Sequence, residues 1–174
     1  MNRRKEIQEI LTNWQYLVSG LQYEPEDFYV ALEKRIYSKD IKGVSVRRVT
    51  LSQAGSFSRK REYLRVIYGD LVFDICAAPF GTQDFFFSYW MGLKPLHGCF
   101  GFLLPILLSI PFLGALIAKS VSPMTYYQRD TATMFNTLIS NIVMEEFDTV
   151  IGNKGIEPIP EADRVPNNKK LTDI

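Results

Sequence analysis

Apolar residues near the start of the chain recur at three- and four-residue steps. Ile7, Ile10, Leu11, Trp14 and Leu17 form one stripe, the spacing of a helix with one buried face. The pattern predicts a helix from about Arg3 to Val18, closed by Gly20. Pro25, followed by Glu26 and Asp27, opens a second predicted helix, because proline suits the first helical position and acids suit the positive end of the helix dipole. Phe28, Leu32 and Ile36 give it one apolar face, and it should stop near Asp40. The period then changes to two. Val44 and Val46 alternate in one phase and Val49 and Leu51 in the other, so a bulge near Arg47-Arg48 is expected. Residues 54–60 read as a loop.

The strongest local signal is a hairpin, with Glu62 to Tyr68 and Leu71 to Ala77 flanking Gly69-Asp70. A two-residue turn led by glycine fixes the register. Tyr68 should face Leu71, Val66 should face Phe73, and Leu64 should face Ile75. On the other side of the sheet, Ile67 meets Val72 and Arg65 meets Asp74. Read as an exposed pair, Arg65 and Asp74 would contribute about 0.2–1 kcal/mol. Pro79 and Gly81 interrupt the pattern, and Phe85 to Trp90 reads as a fourth strand or as an aromatic band suited to a membrane boundary.

From Pro95 to Ala118 no residue carries a formal charge apart from the titratable His97. Phe100, Phe102, Leu103, Leu104, Ile106, Leu107, Leu108, Ile110, Phe112, Leu113, Leu116 and Ile117 supply the apolar surface. Together they favour bilayer insertion by roughly 4–7 kcal/mol. Pro105 and Pro111 break a straight helix. The segment is therefore expected to be a kinked span or a re-entrant hairpin, with a buried hairpin in a soluble protein as the other arrangement. Exposed backbone in lipid needs cover, so a broken segment argues for several copies assembled together. Beyond it, Ser122-Pro123 should start a long helix ending near Ile151, with Gly152 as its stop. Its length of roughly 43 Å exceeds what a small sheet covers. Asp130, Thr133, Asn136 and Thr137 are the candidate pore or oligomer face. The remaining residues, with Pro158, Pro160 and Pro166, read as a loose tail.

The predicted fold is thus α+β, with two N-terminal helices, a small antiparallel sheet of three to four strands, an apolar membrane segment and a long C-terminal helix. The expected units are a cytosolic helix-and-sheet domain over 1–94, the membrane segment over 95–121, the amphipathic helix over 122–151 and the tail over 152–174. Met1-Asn2-Arg3-Arg4-Lys5 is not followed by the apolar stretch of a signal peptide, which predicts a soluble part in the cytosol.

Composition narrows the chemistry. Twenty basic and 19 acidic residues give a net charge of +1, too balanced to predict nucleic-acid binding. Cys76 and Cys99 are too few for a disulfide framework and read as small buried hydrophobes. His97, the single histidine, excludes sites that need two and reads as an interfacial residue. Cys99 beside it has no orienting carboxylate nearby. No phosphate-binding loop, dinucleotide turn or CxxC is present. No catalytic residue, cofactor or metal is expected. Arg47, Arg48, Arg59, Lys60 and Arg61, with the basic N-terminus, are candidate lipid head-group contacts or solvated strand ends.

The layout resembles a group of small bacterial membrane proteins, on the strength of Tyr63-Leu64-Arg65-Val66, the run Phe73-Asp74-Ile75-Cys76-Ala77-Ala78-Pro79-Phe80-Gly81-Thr82, and Tyr126-Tyr127 through Asp130-Thr131 to Met134-Phe135. In size and in having one membrane segment it is similar to the accessory proteins of type VI-B CRISPR systems. The helical-RNase pattern associated with such accessories is missing, since the nearest arginine before His97 is Arg65. The resemblance implies a bacterial inner-membrane location, with the soluble part facing the cytoplasm, and a role in antiviral defence. Two functions are expected: a non-enzymatic homo-oligomer, pore-like in a bilayer, or a membrane-anchored adaptor that binds a cytosolic protein.

Overall fold

Alternation, not helical periodicity, governs the start of the chain. The computed structural model describes residue 7 and residues 9–52, 60–94 and 124–167. Glu9–Ser19 is a strand, β1, followed by helix α1 (Pro25–Ser38), strands β2 (Val44–Ser52), β3 (Lys60–Tyr68), β4 (Leu71–Phe80) and β5 (Asp84–Leu93), helix α2 (Tyr126–Asn153) and a 3-10 turn at Glu161–Arg164. The strands form one sheet in the order β1-β5-β4-β3-β2, antiparallel throughout. The expected fold is corrected accordingly: one N-terminal helix in place of two, and five strands in place of three or four.

The physical cause of the first error is a bulge. The β1–β5 register slips between Ile10 and Thr12. The extra residue lets Leu11 and Trp14 both be buried, with Val18 and Leu21 following. That 3-4-3 spacing imitates a helix, yet beyond the bulge Thr12, Trp14, Tyr16 and Val18 pair with Met91, Tyr89, Phe87 and Phe85 at period two. Gly92 belongs to the same device. A Cβ there would fall on the Glu9 carbonyl and the Ile7 side chain.

No bulge occurs in β2, which pairs with β3 without interruption from Val44↔Tyr68 to Ser52↔Lys60. The phase change in the sequence arises because Arg48, not an apolar residue, continues the inward set of Val44 and Val46. The hairpin of β3 and β4 has the five pairings read from the sequence, and Gly69 takes the left-handed conformation (φ 58°) that its turn requires. Phe85 to Trp90 lies within β5, and Phe85, Phe87, Tyr89 and Met91 are buried in the core.

Both helices cover one face of the sheet. Phe28 of α1 meets Phe87 edge-on at 5.0 Å, Phe147 of α2 meets Phe87 at 4.9 Å, and Phe135 meets Phe73 at 6.2 Å. Such edge-to-face pairs add about 0.5–1.5 kcal/mol each beyond area burial. Pro25 and the early acids open α1, and Phe28, Tyr29, Leu32 and Ile36 are its buried face. In α2, Thr125 and Gln128 form a reciprocal capping box. The two helices are tied by the Arg35 Nε donating to Glu146 at 2.6 Å.

The tail is held, not loose, as far as Asn167. Asn13 and Asn167 exchange backbone hydrogen bonds of 3.3 and 2.8 Å, the Trp14 indole donates to the Asp163 carbonyl at 2.7 Å, and Arg164 grips Asp148 at 2.9 and 2.7 Å.

Substituting Gly92→Ala forces the Glu9 backbone away from β5 and is expected to destabilise the fold by about 1–3 kcal/mol. Urea unfolding measures this. An unchanged midpoint would show that the β1 bulge relaxes freely.

Candidate interaction surfaces

Each strand alternates between the helix-covered face and an outer face, so the register decides which side chains meet outside. One outer row crosses all five strands: Asn13, Trp90, Asp74, Arg65 and Arg47. Arg65 holds Asp74 through two bonds, Nε to Oδ1 and Nη2 to Oδ2, both 2.6 Å. Asp74 is buried and Arg65 largely so, with side-chain exposures of 4 and 12%, so the energetics are not those of an exposed pair. Burial pushes the Asp74 carboxyl above its ordinary 3.8, against the opposing pull of Arg65 and then Arg47. Desolvation and attraction here are two large opposing contributions.

The basic residues singled out from the sequence do not form one patch. Arg48 points to the helix side, where it bonds Glu33 (2.6 Å) and both Glu26 oxygens (3.1 Å each), lies 3.6 Å from Glu62 and sits 4.5 Å over the Tyr29 ring. Burial opposes its charge, but Glu33 and Glu26 more than offset this and raise its pKa. Arg47 and Arg61 lie on the outer face, with Arg61 5.7 Å over the Phe86 ring. Lys60 is exposed at the start of β3. Arg59 lies outside the described residues.

Tyr29 occupies the point where the β3–β4 pairing ends. Beyond Leu64↔Ile75 the strands part. The Tyr29 hydroxyl there accepts from the Ala77 N–H at 2.9 Å and donates to the Glu62 carbonyl at 3.0 Å. It replaces a ladder bond. Cys76 sits beside it, fully buried. Burial pushes this thiol up to about 11, despite Arg61 and the Tyr29 hydroxyl nearby, so it is protonated and a poor nucleophile at neutral pH. Burial likewise pushes Tyr29 up, and Tyr89 up to about 12. The Tyr89 hydroxyl and the Asn136 Oδ1 are buried without a well-formed hydrogen bond. Ser140 lies beside Tyr89 but spends its own donor on the Thr137 carbonyl at 3.2 Å.

The residues expected to line one polar face of the long helix separate. Asp130, Thr133 and Thr137 are exposed, while Asn136 is buried against the core at 6% exposure. The outward stripe instead contains Tyr126, Tyr127, Asp130, Met134, Thr137 and Asn141, and Tyr126 and Met134 are 85 and 72% exposed. Between Asp130 and Glu145 no residue of α2 is charged. A helix face turned to water ordinarily carries charge.

At the end of the sheet, where β1 runs into α1 and β4 into β5, an open cleft of about 420 Å³ is lined by Tyr23, Glu24, Asp27, Asp84 and Lys154 among others. Burial, then Asp27 and Glu146, raise the Tyr23 pKa, so its phenol stays neutral. Among the described residues no group of three His, Cys, Asp or Glu side chains is placed to hold a metal ion.

The inner-membrane placement is corrected. Among the described residues no helix is long and apolar enough to cross a membrane. The side chains on which that placement rested, Phe100 to Ile117 with Pro105 and Pro111, lie outside the described residues, as do His97 and Cys99. Comparison with protein-family models, characterised proteins and solved structures returns no match. The resemblance drawn from layout gains nothing from these comparisons.

Replacing Arg65 with Met leaves Asp74 buried and unpaired, an expected loss of about 3–5 kcal/mol. The double substitution Arg65→Met with Asp74→Leu should recover most of it. The folded-state pKa of Asp74 lies above its unfolded value. Its contribution to stability is therefore complete below the unfolded pKa and is lost as pH rises through the folded one. In Arg65→Met that decline should extend to higher pH, because the stronger of the two cations opposing the upward shift is gone and only Arg47 remains. Denaturation midpoints across acidic to neutral pH read both effects. A pH profile identical to the parent's would show that Asp74 does not sense Arg65.

Proposed function

We propose that this chain is a non-catalytic assembly protein that self-associates through the uncharged outward face of α2. The observation that carries the reading is the charge-free stretch from Thr131 to Met144, which is exposed at Thr133, Met134, Thr137 and Asn141. A second copy fits this face better than an arbitrary partner because the stripe is self-complementary. If two α2 helices pair antiparallel about a two-fold axis between Phe135 and Asn136, Met134 faces Thr137 of the other copy and Asp130 faces Asn141. Tyr127 then faces Met144, and Tyr126 faces Glu145. No like charges meet, and the Asn141 amide can donate to the Asp130 carboxylate. An interface between identical patches of this kind is the ordinary geometry of a symmetric dimer.

The buried chemistry supports a non-enzymatic reading. Cys76, Tyr29 and Tyr89 are held protonated by burial, and Tyr29 is used by the sheet itself. An adaptor that binds another protein is the second reading, and the observation that favours it is the β2 edge of the sheet, which no other strand covers among the described residues.

Light scattering on the full chain, whose mass is 20.0 kDa, tests self-association. The parent should give multiples of that mass. Met134→Glu should weaken association by about tenfold or more, equivalent to ~1.4 kcal/mol. At concentrations where the parent is monomeric it should leave the unfolding midpoint unchanged, because Met134 is outside the core. A monomer at the highest soluble concentration sinks the proposal. So does association that Met134→Glu and Thr137→Glu leave untouched.

A further inference from the structure

The two edges of the sheet are finished differently. At β1 the tail returns and Asn167 bridges Asn13, which extends the outer row by one residue beyond the edge. At β2 the row stops at Arg47, and no described residue pairs with the outer edge of this strand. The strand is nine residues long, contains no proline and keeps an unbroken register. It therefore has none of the bulges or prolines that commonly protect an edge from pairing.

The charge of the row is also incomplete. Arg65 and Arg47 stand directly opposite one another in the β2–β3 ladder, an arrangement that is unfavourable for like charges. Asp74 spends the hydrogen bonds of both its oxygens on Arg65 and reaches Arg47 only through space. Among the described residues no carboxylate lies within ion-pair distance of Arg47. Read across the strands, the row is anion, cation, cation, then nothing. One carboxylate placed beyond Arg47 would restore a balanced sequence.

We infer that the β2 edge is a docking strand for an extended segment of a partner protein that sets an Asp or Glu opposite Arg47. The same segment would place apolar residues two and four positions away, opposite Val49 and Leu51, which are half-buried on the same face as Arg47. Backbone bonds would supply affinity and the side-chain pattern would supply selectivity, as in other strand additions to a sheet edge. A second copy fits this edge poorly, since full overlap of two β2 strands, Val44 against Ser52, puts Arg48 opposite Arg48.

The test uses the isotope-labelled full chain and two short synthetic peptides of alternating threonine and valine, one with a central glutamate and one with lysine in its place. The glutamate peptide should bind about fivefold more tightly, the equivalent of one cross-strand charge pair, and should slow amide exchange in β2. Arg47→Glu should reverse the preference, and Arg47→Gln should abolish it. Thermal unfolding of both variants at or above the parent's temperature, as expected when Arg65 no longer faces a like charge, keeps the comparison independent of folding. The inference is overturned by binding of neither peptide, by equal binding of both, or by protection at an element other than β2. It is also overturned if β2 amides become protected with rising protein concentration alone, which would assign the edge to a second copy.

Discussion

The indole of Trp14 joins four parts of the chain that are distant in sequence. It stacks on Tyr16 within β1 (6.3 Å between ring centres) and on Tyr89 of β5 (5.8 Å), meets Phe147 of α2 edge-on at 5.6 Å, and donates to the Asp163 carbonyl in the tail. A Trp is well suited to this place because its large apolar body fills the layer while its single polar hydrogen reaches the rim. Without that ring β1 would keep only Tyr16 against Phe147 of α2, and the tail would lose one of its anchors beside the Asn13–Asn167 and Arg164–Asp148 bonds. The rest of the architecture follows from this contact. The sheet lies on one side, two helices cover its inner face, and the last residues are drawn along β1.

Toward the opposite edge of the sheet the controlling constraint is electrostatic. Four arginines lie on β2 and β3, and each has a different surrounding. Arg48 is inward and enclosed by Glu26, Glu33 and Glu62. Arg65 is outward and locked to Asp74. Arg61 lies over an aromatic ring. Arg47 is exposed at the edge. Neighbours in sequence, Arg47 and Arg48, thus have opposite fates because a strand sends successive side chains to opposite faces. This is why a count of positive charges said so little about what those charges do.

What could be read from the sequence was what depends on near neighbours. The β3–β4 hairpin was legible down to its register, because a glycine-led turn fixes it within a few residues. Helix α1 was legible from Pro25, Glu26, Asp27 and the spacing of Phe28, Leu32 and Ile36. The failures came from distant partners. The β1 strand was hidden because its bulge spaced Leu11, Trp14 and Val18 like a helix. Arg48 broke an apolar pattern whose completion lay on another element, although Glu26 and Glu33, seven apart on one face of α1, were a signal that it could be received there. Asn136 looked like part of a polar face with Thr133 and Thr137, yet it turns into the core. The tail was judged by its own composition, and it is ordered by Asn13, Trp14 and Asp148.

The bridge between Asn13 and Asn167 also bears on the order in which the protein is made. Among the described strands β1 pairs with β5 alone, so it has no partner there until β5 has been synthesised. Among the described residues its outer edge is bridged later still, once Asn167 has emerged. A topology of this kind defers its most distant contacts to the end of folding, which slows the process and leaves an edge open while the chain is incomplete. Nascent β1 is therefore the segment that a chaperone would have most reason to hold, and release from it would come only when the C-terminal residues arrive to take its place.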